Sequence, residues 1–291
     1  MLRCFRYAWL AVLILAAPAA AQTTLRYQFK KGQNLPYAVE QKTNMSINVM
    51  GINIDTKTNM AMAMSLNVLD VNKDGSAQVQ LQVTHAKISL DALTGKVEVD
   101  SSDKNEPEDA VGKILSPMIK ALGGMEVAGV MLPTGEMKDI KVSEKTLKAL
   151  KSVPGADKFG DFSNPDSFKS LVSNLVFPAG AMAKGKTWTN KSDEKSPFGK
   201  GVTENTYTYE GAAPSGGGTL EKISVKSTKK IEPDPKATVK ATLKDAKGTG
   251  KILFDNKLGR IVESTLTQTM QMGIEGQTVN LTQTTTLRLK K

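Results

Sequence analysis

Residues 45–68 read MSINVMGINIDTKTNMAMAMSLNV, and their period is two. Met45, Ile47 and Val49 alternate with Ser46 and Asn48. After Met50-Gly51, Ile52 and Ile54 alternate with Asn53 and Asp55. Met60, Met62, Met64, Leu66 and Val68 then hold one face of a longer run. Successive side chains of a strand point to opposite faces, so this pattern predicts half-buried β-strands. Asp74-Gly75 follows as a hairpin turn, because glycine tolerates the positive φ that a primed turn demands. Ala77, Val79, Leu81 and Val83 lead the chain back. The order is a meander of antiparallel strands, not a βαβ unit.

Outward from this stretch the pattern changes once and then returns. Pro107-Glu108-Asp109 opens a helix with Val111, Leu115, Met118, Ile119 and Leu122 at three- and four-residue spacing, closed by Gly123-Gly124. Met125 to Leu132 and Met137 to Val142 predict a hairpin around Pro133-Thr134-Gly135. A second helix is expected after Ser143, ending before Pro154. A third is expected from Asn164 or Asp166, carrying Phe168, Leu171, Val172, Leu175 and Val176 and ending at Pro178. Strands resume at Lys186-Thr187-Trp188-Thr189 and continue from Val202 to Glu210. Pro214-Ser215-Gly216-Gly217-Gly218 reads as a flexible link and Asp255-Asn256-Lys257-Leu258-Gly259 as a hairpin loop. Leu281, Leu287 and Leu289 mark a final strand. The segment from Thr43 to Ile52 is echoed by Thr267 to Ile274, each rich in threonine and methionine and closed near Gly-Ile. The echo suggests two similar β lobes flanking a helical centre, although threonine-rich hairpins also converge independently.

The first 21 residues read as a Sec-type signal peptide: Arg3 and Arg6, an apolar run from Tyr7 to Ala17, and small residues at Ala19 and Ala21. Cleavage before Gln22 is expected to deliver a periplasmic or extracellular chain with no later apolar segment of transmembrane length. It removes Cys4, the single cysteine, and with Arg3 and Arg6 lowers the formal charge from +10 to +8. The expected layout is one β-rich secreted domain over 22–291. It comprises an N-terminal meander (22–104), a helical middle (105–180) and a C-terminal meander (181–291). The excess charge is lysine, for instance Lys226, Lys230, Lys236, Lys244, Lys247 and Lys251, expected in turns and at strand edges where it blocks aggregation. Aromatics are only 5% of the chain, which argues against nucleic-acid binding; an anionic envelope surface stays open as a partner.

Candidate chemistry is sparse. Asp70-Val71-Asn72-Lys73-Asp74-Gly75 matches the start of a calcium loop, but the twelfth position, which needs a bidentate acid, is Leu81. Met60, Met62 and Met64, joined by Met45, Met270, Met272 and His85, offer soft ligands for copper(I), set against the habit of methionine to fill irregular cores. His85 is expected to continue the Val79-Leu81-Val83 face. With one histidine and no cysteine after cleavage, Ser–His chemistry would hang on His85. Carboxylate-only hydrolysis through Glu106, Glu108 or Asp109 is the minor enzymatic alternative. No cofactor, catalytic residue or metal ligand is assigned.

Three stretches together resemble a family of secreted bacterial proteins defined as a domain of unknown function. They are LRYQFKKG (residues 25–32), FPAGAMAKGKTWT (177–189) and GTGKILFDNKLGRIVEST (248–265). The resemblance implies a structural framework and carries no catalytic residue. The general layout is also similar to periplasmic lipoprotein carriers, which hold acyl chains in a half-barrel.

The expected fold is therefore α+β, mainly antiparallel β: a curved sheet or half-barrel with about three helices packed on it. The expected function is a non-enzymatic binding module for a lipid or other apolar ligand, with Met60, Met62, Met64, Leu66 and Val68 as its ligand face. An envelope scaffold or adhesion protein without a small ligand is the alternative.

Overall fold

A computed structural model describes residues 22–49, 51–93, 95–153, 175–196, 199–215, 218–233, 241–274 and 276–290. The alternating stretches pair in chain order. β1 (Asn34–Val49) turns at Gly51, where φ is +84°, into β2 (Ile52–Val71); β2 turns at Gly75 into β3 (Ala77–Ala92). β4 (Gly95–Asp100) pairs with the far half of β3, and β5 (Glu126–Met131) with its near half, followed by β6 (Met137–Val142). Helix α1 (Ala110–Leu122) lies between β4 and β5, and α2 (Glu144–Lys151) follows β6. The second meander comprises β7 (Thr187–Ser196), β8 (Gly199–Ser215), β9 (Gly218–Pro233), β10 (Ala241–Asp255), β11 (Arg260–Ile274) and β12 (Gln277–Leu289).

Among the described residues, all twelve strands belong to one open, curved antiparallel sheet. Its order is β6-β5-β3-β2-β1-β12-β11-β10-β9-β8-β7, with β4 beside β3. The two meanders join where β1 pairs with β12, from Tyr37↔Leu289 to Asn48↔Thr278. The echoed hairpins are thus neighbours within one sheet, and they do not divide it into lobes about a helical centre. β8 and β9 pair antiparallel up to Pro214 with Thr219 and Ser215 with Gly218, so the stretch expected as a flexible link joins two paired strands. Lys226, Lys230, Lys247 and Lys251 also depart from expectation: they stand exposed on β9 and β10, interior strands, not at edges. The edge strands carry Lys138, Lys141 and Lys191.

Both described helices begin on the caps that the sequence marks. The Asp109 carboxylate accepts from the Gly112 backbone N–H at 2.7 Å, and the Ser143 hydroxyl accepts from that of Thr146 at 3.2 Å. Replacing Asp109 by Ala should cost about 0.5–2 kcal/mol, read as a lower urea midpoint at unchanged slope. α1 packs on β3 and β4, burying Ile119 against Ala86, Ile88 and Val99. Two helices are present among the described residues. The expected third lies almost entirely outside them, and Leu175 and Val176, which close it, are not helical. The proposed signal peptide also lies outside them.

The three stretches that carry the family resemblance converge in the main core. Tyr27, Phe177 and Phe254, one from each, meet tilted or edge-on at ring separations of 5.7 Å (Tyr27–Phe177), 5.3 Å (Tyr27–Phe254) and 4.9 Å (Phe177–Phe254). The Gln28 N–H donates to the Gly259 carbonyl at 3.2 Å, and the Arg26 guanidinium donates to the carbonyl of Pro178 at 2.8 Å. Gly259 must be glycine, because a Cβ there would stand 2.0 Å from the Gln28 nitrogen.

Candidate functional site

Register across the sheet defines one inner face. Its lower end is the core just described. Val68 and Leu81 are buried there, and Leu66 packs against both the main core and the Val68–Leu81 cluster. One step along β2, Met64 faces Tyr37 and Val83; Met62 faces Val39 and Ala86; Met60 faces Gln41 and Ile88. Met60 and Met62 pack against the cluster holding Ile119 of α1, and Met62 and Met64 against the one holding Ala121 and Leu150. The helices thus cover this stretch from the β3–β4 side, leaving the three methionines half-buried.

Beyond Met60 the inner face crosses a line of uncharged polar residues. From β7 to β9 it runs Asn190↔Asn205↔Ser227, and Gly248 of β10 pairs with Ser227 without adding a side chain. It continues as Gln268↔Gln283 on β11 and β12, then as Thr43↔Thr58 on β1 and β2. The next level carries Ser192, Thr203 and Lys229 on β7 to β9 and turns apolar on β11, β12 and β1. Met270, Leu281 and Met45 share one level, and Ile47 and Ile54 share the next with the buried Met272 and Val279. Met45, Ile47, Ile54, Met270 and Leu281 are half-buried and belong to none of the four described core clusters. The opposite face of these strands carries Asn44, Asn48, Asn53, Asp55, Asn280 and Thr282, so the sheet is amphipathic to its tip.

Two atoms of the polar row lack partners: the Asn205 Oδ1 and the Ser227 Oγ, from residues paired across β8 and β9. Ser227 is 2% exposed. The amides of Asn205 and Asn190 reach the Tyr207 hydroxyl, and Asn190 also donates to the Val176 carbonyl at 3.2 Å. Beside Ser227, a hollow bounded by Lys229, Ala246, Lys247, Gln268, Thr269 and Met270 measures about 10 Å³, close to the minimum that admits one water-sized group.

The other sequence candidates are scattered or already engaged. In the β2–β3 turn, Asp74 accepts from the Ser76 N–H at 3.0 Å and its hydroxyl at 2.7 Å, while Asp70 pairs with Lys31 at 3.1 Å. These contacts hold both carboxyls below the usual carboxylate range. His85 does not continue the Val83 face. Thr84 is a bulge between Met64↔Val83 and Ala63↔His85, which turns His85 to the outer face. There its Nε2 contacts Asp100 at 2.8 Å. The Ser102 hydroxyl donates to the same carboxylate oxygen at 2.6 Å and, with the Ser102 N–H and His85, holds Asp100 down to about 2. Serine and histidine thus meet the acid, not each other. Met45 and Met270 share a face but stand two strands, about 10 Å, apart, and Met60 lies four residues, about 13 Å, further along. The structure does not bring the soft-ligand set together. Glu106 pairs with Lys120 at 2.7 Å and Asp109 caps α1. Among the described residues no three acidic, histidine or cysteine side chains cluster as a metal site, and no helix is long and apolar enough to cross a membrane.

No family model matches the chain, and no curated protein matches it. Among solved structures it is similar to lipovitellin, described for its lipid–protein interactions, at a TM-score of 0.49 and 14% identity over 91% of this chain. The chain spans only 26% of that protein. A putative outer membrane lipoprotein-sorting protein domain from Vibrio parahaemolyticus aligns at a TM-score of 0.13 and 12% identity, over 87% of this chain and 86% of its own. A DUF1329 family protein from Desulfovibrio piger aligns at a TM-score of 0.14 and the same identity, covering 87% of this chain and 85% of its own.

Proposed function

We propose that this protein is a non-enzymatic binding module of the bacterial envelope, exported by its signal peptide, which takes up a lipid or another apolar ligand on the inner face of its sheet. The observation that carries this reading is the half-buried apolar strip of Met45, Ile47, Ile54, Met270 and Leu281, outside every described core cluster. It lies beyond the Met60–Met62–Met64 row, across the polar line at Thr43 and Thr58, and outside the clusters that hold α1 and α2. Full burial of one such side chain gains about 1.5–3 kcal/mol over full exposure, so a strip left part-way gains further on contact with an acyl chain. Methionine adapts its shape at low cost and suits ligands of varied outline.

The test is uptake of a fluorescent long-chain acyl probe by the exported chain, compared with an Ile47→Asp variant. Ile47 is half-buried and outside the clusters, so the variant keeps its circular dichroism spectrum and melting transition. A carboxylate in the strip should weaken uptake by about tenfold or more. Met62→Asp is the poorer choice, since that side chain packs against two helix-bearing clusters. Wild-type protein that takes up no probe would overturn the reading and favour a scaffold without a small ligand.

A further inference from the structure

We infer that the end of the sheet at the β1–β2 and β3–β4 turns docks on the surface of a lipid bilayer through its exposed aliphatic side chains. The inference goes beyond the apolar-ligand reading above, to which it adds a source of ligand: lipid passes from the bilayer onto the strip where the strip reaches the rim.

Exposure at the two turns is the first argument. Among the described residues, Leu93 at 77% and Ile52 at 68% are, with Ile114 of α1, the most exposed large hydrophobic side chains. Ile52 opens β2 and Leu93 follows Ala92, the last residue of the antiparallel β3, so both stand at one end of the sheet. The other two exposed leucines stand at the far end, Leu69 next to the Asp70–Lys31 ion pair and Leu258 between Lys257 and Gly259. Single exposed apolar residues are ordinary, whereas ones that extend an apolar surface mark an interaction site.

Continuity gives the second argument. Beyond Ile47, Ile54 and Met272 the inner face has one more level, where Val49 pairs with Ile52 and Ile274 with Gln277. Over the last three levels of β1, β2, β11 and β12, Thr56 and Gln277 are the polar positions and the rest are apolar. The strip therefore reaches the rim at the point where Ile52 stands exposed. Charge gives the third argument. The charged residues closest in the chain to the two turns, Asp55, Lys57, Asp91 and Lys96, lie on the opposite face, where Lys57, Asp91 and Lys96 stand side by side in register. Acids and bases balance there, so docking rests on apolar burial and not on a charged partner. Protein interfaces centre on tryptophan, tyrosine and arginine. Among the described residues of these turns and levels none of the three occurs. A purely aliphatic rim matches the acyl boundary of a bilayer instead.

The experiment is co-sedimentation of the exported chain with phosphatidylcholine vesicles. Wild-type protein should sediment with them to the same extent at low and at high salt. Ile52→Asp and Leu93→Asp should each weaken binding by about tenfold or more, because each sets a charge in place of an aliphatic side chain at the contact. Both sites are exposed, so the melting transition stays where it is. Leu258→Asp, at the far end, should bind as wild type does. Wild-type protein that stays in the supernatant, binding confined to anionic vesicles and lost at high salt, or binding untouched by either rim variant would overturn the inference. So would a wild-type dimer that Ile52→Asp splits, since a second copy would then cover the rim. The acyl-probe assay reports separately on the ligand reading: Leu93→Asp, outside the strip, should take up the probe as wild type does while binding vesicles less. Probe uptake without vesicle binding leaves that reading standing and ends this inference. Vesicle binding that the rim variants weaken, without probe uptake, does the reverse.

Discussion

Phe254→Ala is expected to lower the free energy of unfolding by about 3–5 kcal/mol, the usual cost of removing a fully buried phenylalanine. Phe254 has no exposed surface and meets Tyr27 edge-on at 5.3 Å and Phe177 edge-on at 4.9 Å. Those two rings arrive from positions 227 and 77 residues away in the chain, and their contacts with Phe254 help to dock both segments onto β10. The cavity therefore opens between elements that are otherwise joined by hydrogen bonds, such as Gln28 to Gly259, Arg26 to Pro178 and Asn256 to Thr24. Typical domains hold only about 5–15 kcal/mol in total, so the variant loses a large share of its stability. Urea unfolding followed by circular dichroism measures the loss. Leu258→Ala, four residues on and 41% exposed, serves as the comparison and should change stability by less than about 0.5 kcal/mol. A loss below about 1 kcal/mol for Phe254→Ala would mean that the three segments do not share a core.

That core shows where sequence reading succeeds and where it stops. The alternation in residues 45–68, the Asp109 and Ser143 caps and the Gly51 and Gly75 turns are local signals, and each is visible within a window of a dozen residues. They place β1 to β3, α1 and α2 correctly. The three stretches of family resemblance also stand out as sequence, but that they meet at Tyr27, Phe177 and Phe254 requires knowing the fold. The pairing of β1 with β12 is of the same kind. Its partners are more than two hundred residues apart, and no local pattern distinguishes one free strand edge from another. The bulge at Thr84 inverted the expectation for His85, because one inserted residue moves every later side chain to the other face. The polar row was invisible for a related reason. Asn205, Ser227, Gln268 and Thr43 are unremarkable polar residues in their own strands, and they form a line only once register is set across seven strands. The methionine face was legible because its members follow one another on β2. Its continuation through Ile47, Leu281 and Met270 was not.

Alkaline titration should unfold the exported chain before its tyrosines ionise individually. Of the five tyrosines, four lie beyond the expected cleavage point, namely Tyr27, Tyr37, Tyr207 and Tyr209, and every one is held above the ordinary value near 10. Burial is the main cause in each case, since a phenolate has no water to solvate it inside the core. Tyr37 is pushed up to about 12 while its hydroxyl donates to the Ile261 carbonyl at 3.1 Å. Tyr27 is raised well above the ordinary value, and the neighbouring Tyr37 and Tyr207 add to the effect of burial. A group whose folded value exceeds its unfolded value keeps its proton longer in the native state. Its contribution is therefore complete below about pH 10 and declines as pH climbs through the folded value. For Tyr37 alone the decline amounts to about 2–3 kcal/mol by pH 12. The other three add in the same direction. The expected record is a flat tyrosinate absorption near pH 10, where a free tyrosine is half ionised, followed by one steep rise that coincides with loss of the β circular-dichroism signal. Tyr37→Phe loses one hydrogen bond at neutral pH but should shift that rise to higher pH, because one fewer buried phenol has to ionise. Gradual tyrosinate formation centred near pH 10 in a chain that keeps its β signal would show that these side chains are open to solvent and that the main core is not packed as described.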